Sequence, residues 1–135
     1  MEGKKKECNL DVSYIARLVT LGVLLSFPGR VDAEDPGSVN RRAILSGIRM
    51  LALRAQDYYH TSGLDLGGGG SFAYLQLSRL THRPSNANGS FQLSSPTATS
   101  VQLTGTGVEM GFNSSFPVEI EATVYADSVS IIVTN

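Results

Sequence analysis

The sequence predicts an α+β fold in which a long N-terminal amphipathic helix packs on a four-stranded antiparallel sheet. Between residues 40 and 60, apolar residues recur every three or four positions, which is typical of one face of a helix. After residue 70 the pattern changes to short segments in which apolar and polar residues alternate, as in half-buried strands. With 135 residues, the chain has room for one such domain.

Residues 1–37 are predicted to form an export signal or membrane anchor followed by a linker, and residues 38–135 the folded domain. Three lysines, Lys4 to Lys6, precede an apolar run that is free of charge from Leu18 to Phe27. This run is shorter than the roughly 20 residues that a spanning helix needs, but a signal peptide requires only about 7–15. We therefore expect the protein to be exported.

Two further interpretations of the N-terminal segment stay open. The apolar residues of 12–27 are also compatible with a retained anchor in contact with the inner membrane, or with an amphipathic helix of a protein that is not exported. Val31-Asp32-Ala33 offers a small-residue cleavage site before Glu34, which favours the export signal. The single cysteine, Cys8, excludes a disulfide within the chain.

The main helix is predicted from Asn40 to about His60, with Ser38 as its N-cap. Its apolar stripe is expected to be buried partly in its own sheet and partly against neighbouring copies of the chain, because a helix of this length is marginal in water without packing. Gly47 is expected either to permit the close approach of a neighbouring backbone, from the sheet or from another subunit, or to be a tolerated surface glycine. The predicted assembly residues are Ile44, Gly47, Ile48, Leu51, Ala55, Tyr58 and Tyr59.

A tract of four glycines follows the helix and is predicted to be a structural loop. It comprises Gly67, Gly68, Gly69 and Gly70 and leads to Phe72. A phosphate-binding loop would need a preceding strand, a lysine and a following helix, and none of these surrounds the tract. We expect the glycines to let the chain turn and lie against the helix end.

The strands are predicted from alternation and from turn residues. Asn88-Gly89 indicates a tight turn, and Gly105 to Gly111 is predicted to be a loop. The four strands are expected at residues 91–93, 100–104, 118–125 and 129–133. Together they predict an antiparallel meander with one solvent-exposed face.

The sequence predicts no catalytic, cofactor-binding or metal site, and the protein is not expected to be an enzyme. His60 and His82 are the only histidines, and neither lies at ligand spacing from a second ligand. Glu119 and Glu121 lie on the same exposed strand face. Nucleic-acid binding by the strand region is not expected, because the net charge is −1 and no basic residue follows Arg83.

The order of several segments resembles that of small bacterial type IV pilin-like proteins, including pseudopilins. The helix ends in Ala55-Gln56-Asp57-Tyr58-Tyr59 and is followed by Leu66 to Phe72 with its four glycines. Asn88-Gly89-Ser90-Phe91 comes next, and Leu103 to Gly111 then leads to Phe116-Pro117-Val118-Glu119-Ile120. The resemblance covers about residues 40–133.

This resemblance implies a pilin-like fold and a non-enzymatic structural role. The chain would be a subunit of an extracellular type IV pilus-like filament or of a secretion pseudopilus, assembling as a homopolymer by helix packing. Its partners would be copies of itself and the export or pilus-assembly machinery. The alternative is a secreted or periplasmic monomeric β-rich binding module, whose ligand would meet the Gly67–Phe72 loop or the face that carries Tyr125 and Ile132.

Overall fold

The computed structural model of the protein describes residues 34–111 and 114–135. The predicted export signal or anchor and its apolar run lie outside the described residues. The helices are α1 (Pro36–His60) and α2 (Leu77–Leu80), a 3₁₀ turn covers Gly63–Asp65, and the strands are β1 (Ser85–Asn86), β2 (Gly89–Ser94), β3 (Ser100–Met110), β4 (Pro117–Tyr125) and β5 (Val129–Val133). The predicted α+β class, with one helix on an open antiparallel sheet, is confirmed.

The sheet has five strands in the order β1-β2-β3-β4-β5, so the prediction of four strands was wrong. The additional strand, β1, consists of two residues and forms a hairpin with β2 in which Asn86 pairs with Gly89. Two residues are too few to show the alternation by which strands are recognised in a sequence. The other four strands overlap the predicted segments, although β2 and β3 are longer than predicted.

Strand β3 continues to Met110, whereas a loop was predicted from Gly105 to Gly111. Gly105 and Gly107 lie on the face of β3 that α1 covers, where a Cβ at Gly105 would approach Cγ2 of Ile44 to 2.5 Å. The glycines therefore allow the helix to lie close to the strand. A pattern rich in glycine is typical of a loop, but here it belongs to a strand. Only residues without a side chain fit where the helix crosses the strand this closely.

Helix α1 begins at Pro36, several residues before the predicted start near Asn40. Its N-cap is Asp35 rather than Ser38, and the Asp35 carboxylate accepts a hydrogen bond of 3.1 Å from the backbone N–H of Ser38. Proline is favoured at the first helical position, because its fixed φ suits the helix and no N–H is lost there. Pro36 therefore starts the helix, and part of the predicted linker belongs to it.

The core lies between α1 and one face of the sheet. The apolar stripe of the helix packs on the inward residues of β3 and β4, and Phe91 of β2, Phe72 and Leu75 complete it. The opposite face of the sheet is polar, since Ser90, Thr104 and Glu121 and their neighbours point away from the helix. The fold is thus two layers, one helix over a sheet with one solvent-exposed face.

Candidate functional site

The residues predicted for assembly line the contact between α1 and the sheet of the same molecule. Four of them form the centre of this contact and are 0–4% exposed: Ile44, Ile48, Leu51 and Ala55. Gly47 lies against the Phe91 ring, so that a Cβ would overlap it. Tyr58 and Tyr59 are half-buried and pack against the core. The stripe therefore has little surface left for a neighbouring copy.

The glycine tract closes the C-terminal end of α1. The N–H groups of Gly68, Gly69 and Gly70 donate hydrogen bonds to the carbonyls of Tyr58, Thr61 and Tyr59, with lengths of 2.7–2.8 Å. The last carbonyls of a helix have no N–H partner within the helix, and these bonds supply one. A Cβ at Gly67 or Gly68 would overlap neighbouring backbone, which explains why glycine occupies both positions.

The last residue of the predicted structural loop belongs to the core. Phe72 is fully buried, and its ring lies 4.7 Å from that of Tyr59.

Every N–H group of the tract from Gly67 to Gly70 bonds to a carbonyl of residues 58–62. The loop therefore uses its donors within the chain, so it does not offer the ring of free donors that an anion needs.

Strand β5 forms an open edge of the sheet beside α1. In its register with β4, the N–H and C=O groups of Thr134 and Ser128 point toward β4, and those of Val129, Ile131 and Val133 consequently point outward. The strand carries no charged residue and no proline. Natural proteins usually cover such an edge or disrupt it with charges.

A mostly apolar groove of about 320 Å³ runs between α1 and this edge. Its lining is Arg49, Ala52, Leu53, Val129 and Ile131, and we call it the β5 groove. Leu53, in the C-terminal half of the helix, is 62% exposed. Polar side chains of the helix contact the residues that flank β5, since Arg41 donates to the carbonyl of Asn135 and Gln56 donates to that of Ser128.

The opposite flank of α1 faces a second depression of about 450 Å³. It lies between the helix and the segment 81–86, with Phe91 at its base, and we call it the cationic cleft. Its lining is Ala43, Ser46, Gly47, Met50, Leu51, Arg54, Thr81, His82, Arg83, Asn86 and Phe91. Two arginines and a histidine contribute to this lining, and no carboxylate does.

Tyr125 and Ile132 are both exposed on the polar face of the sheet but do not form a pair. Ile132 lies opposite Glu121, whereas Tyr125 lies opposite Ser100, four residues farther along β4. Four residues of strand correspond to about 13 Å. The face that was considered for a ligand is therefore two separate apolar side chains on a polar surface.

The histidines lie in different places, and neither lies in a cluster of metal-binding side chains. Nε2 of His60 lies 3.0 Å from the carbonyl oxygen of Ala126 and 3.4 Å from Oδ1 of Asp127, so His60 links α1 to the β4–β5 turn. His82 lines the cationic cleft. Within residues 34–111 and 114–135, no group of three potential metal ligands occurs. No helix in this part of the chain has the length and hydropathy needed to cross a membrane.

Comparisons of the chain with protein-family models, with curated proteins and with solved structures found no match. The β5 groove and the cationic cleft, on the two flanks of α1, are therefore the candidate sites. Asn40, which was not singled out in the sequence, is the one buried polar side chain of the described core. An asparagine on the apolar side of a helical pattern was the available signal.

Proposed function

We propose that the protein is a non-enzymatic structural subunit that is exported and assembles with copies of itself into a filament of the type IV pilus-like or pseudopilus kind. The single observation that carries this proposal is the β5 groove, a mostly apolar depression in which an uncharged sheet edge lies beside an exposed leucine of the main helix. The order of the fold, with one long helix followed by an antiparallel meander, agrees with the architecture that the pilin resemblance implies.

The contact that we propose between copies differs from the one predicted from the sequence. Because Ile44, Ile48, Leu51 and Ala55 are buried in their own molecule, they cannot supply much surface to a neighbour. The exposed apolar surface of the β5 groove is Leu53, together with the partly exposed Val129 and Ile131. We therefore place the contact of α1 with a neighbouring copy at this groove.

Two kinds of interaction favour occupation of the groove. Full burial of a leucine side chain contributes about 1.5–3 kcal/mol, so the exposed part of Leu53 contributes on the order of 1–2 kcal/mol per contact. The outward N–H and C=O groups of Val129, Ile131 and Val133 can also form hydrogen bonds to an added strand. An interface that repeats from copy to copy in one direction produces an open filament.

Export is supported by the sequence of the segment outside the described residues, in which three lysines precede an apolar run. The alternative function is a secreted or periplasmic monomeric binding module, for which the cationic cleft offers a ligand site. Negative-stain microscopy of cell-surface material, with mass spectrometry of the mature N-terminus, separates the two. Filaments whose subunits retain residues 12–27 support the structural role, whereas monomers that begin at Glu34 support the binding module.

The variant Leu53→Glu tests the assembly surface. Glutamate has a good helix propensity, and the side chain is exposed, so we expect the subunit to remain folded with a stability change within about 0.5 kcal/mol. Assembly should be lost, because a carboxylate would have to enter an apolar contact. The matched control is Leu64→Glu, at a leucine that is 96% exposed and does not line the groove.

Both full-length variants are compared with the wild type by microscopy of surface material and by sedimentation of the purified protein. Filaments from the Leu64→Glu variant and none from Leu53→Glu are the expected result. Normal filaments from Leu53→Glu would contradict the proposed contact. Ile48→Asp does not discriminate, since a charge at this buried position is expected to unfold the subunit itself.

A further inference from the structure

The cationic cleft has the composition of a small-molecule site. Its base is apolar and is formed by the buried side chains of Leu51 and Phe91 with the bare backbone of Gly47, and the half-exposed Met50 forms one wall. The rim is polar, with the arginines, His82 and Asn86. Its volume of about 450 Å³ lies in the range of pockets that bind small ligands, which is about 300–1,000 Å³.

The charges at the rim favour an anion. Arginine is always protonated, so Arg54 and Arg83 each contribute one positive charge at any physiological pH. Neither forms an ion pair with a carboxylate of the described residues, where the recorded ion pairs are Arg42 with Glu34 and His60 with Asp127. Two unneutralised guanidinium groups beside a depression attract a negatively charged ligand.

The positions of these donors are fixed by the fold. Arg54 donates from Nη1 to the carbonyl of Leu80 at 2.7 Å, which holds the guanidinium near the segment 81–86 and leaves most of its N–H groups available. The backbone N–H of Arg83 donates to Oγ1 of Thr81 at 3.0 Å, and this turn orients the segment. Asn86 accepts a bond from the Asn88 N–H through Oδ1, so its amide N–H groups remain as donors.

We propose that the cationic cleft binds a small amphipathic organic anion, with its carboxylate or phosphate head at Arg54 and Arg83 and its compact apolar body against Met50, Leu51 and Phe91. Guanidinium groups match both heads through paired hydrogen bonds. The site lies on the opposite flank of α1 from the β5 groove. It is therefore independent of the proposed assembly and applies equally to a filament subunit and to a monomer.

The test is a titration of the isotopically labelled full chain followed by amide NMR. The probes are 3-phenylpropionate and phenyl phosphate, which combine an anionic head with an apolar body, 3-phenylpropanol, which lacks the charge, and acetate, which lacks the body. We expect saturable shifts at residues 46–54 and 81–86 with both amphipathic anions, and at least tenfold weaker binding of the alcohol and of acetate. The dissociation constants of the anions should rise with sodium chloride concentration.

The variant Arg83→Gln removes one charge from the rim, and no hydrogen bond of its side chain is recorded within the described chain. We expect its dissociation constants for both anions to rise about tenfold, with an unchanged melting temperature. The matched control, Arg79→Gln, changes an arginine that does not line the cleft and should bind like the wild type. Equal binding of 3-phenylpropionate and 3-phenylpropanol, shifts located elsewhere, or unchanged binding by Arg83→Gln would each overturn the proposal.

Discussion

Replacement of Asn40 by alanine tests the polar link between α1 and the sheet. Nδ2 of Asn40 donates to the carbonyl of Asn88 at 2.7 Å, and Oδ1 accepts from the backbone N–H of Glu109 at 3.2 Å. The second bond satisfies a backbone N–H in the segment of β3 between Thr106 and Met110, where the register with β4 shifts. The side chain is only 4% exposed, so water cannot easily replace it.

The expected cost of Asn40→Ala is about 2–4 kcal/mol. Each lost hydrogen bond contributes about 1 kcal/mol, and the penalty for the unpaired N–H of Glu109 lies at the low end of about 1–3 kcal/mol, because Glu109 is exposed and water can reach it. The carbonyl of Asn88 still accepts a bond from Val108, which limits the total. For a folded unit of about 100 residues, this corresponds to a decrease in melting temperature of roughly 10–25 °C.

The assay is urea unfolding monitored by circular dichroism, with the free energy of unfolding obtained by linear extrapolation. The control is Asn86→Ala, which removes the same amide from an exposed turn where water can take its place. We expect the control to lose less than about 1 kcal/mol. If Asn40→Ala is as stable as Asn86→Ala, Asn40 does not link the helix to the sheet as described.

The remaining predictions concern two glycines at which an added side chain does not fit and one at which it does. Gly105→Ala should lower the free energy of unfolding by about 1–3 kcal/mol, because its Cβ would press on Ile44 and Ile48 in the core. Gly68→Ala should destabilise by a similar amount, since its Cβ would overlap the carbonyl of Ser71 next to the end of α1. Gly63→Ala, with no atom within 4 Å of the added Cβ, should be neutral or stabilising by up to about 1 kcal/mol. Urea unfolding of the three variants measures these differences, and equal stabilities would contradict the packing described here.

The sequence predicts those parts of the fold that depend on periodic burial. The spacing of Ile44, Ile48 and Leu51 predicts the buried face of α1, and alternation predicts β4 and β5. Periodicity shows that a face is buried but not against what, so it could not distinguish the chain's own sheet from a neighbouring copy. Gly105 and Gly107 misled the prediction of β3, because glycine is typical both of loops and of strands that a helix crosses closely.

The candidate site was less accessible from the sequence than the fold. The cationic cleft joins Arg54 of the helix to Arg83 and to Phe91, and only the chain's course around α2 brings them together. The spacing of Leu53 from Ile48 and Leu51 places it away from the buried stripe, but its position beside Val129 depends on the tertiary fold. Asn40 was overlooked because its two partners lie 48 and 69 residues away.

Amide hydrogen exchange of β5 tests the central claim, that copies meet at the β5 groove, most directly. Exchange is measured on the full chain as a monomer and in assembled filaments, and the residues of interest are Val129, Ile131 and Val133, whose N–H groups point away from β4. We predict fast exchange of these amides in the monomer and strong protection in filaments. Filaments in which the three amides exchange as fast as in the monomer would contradict the account.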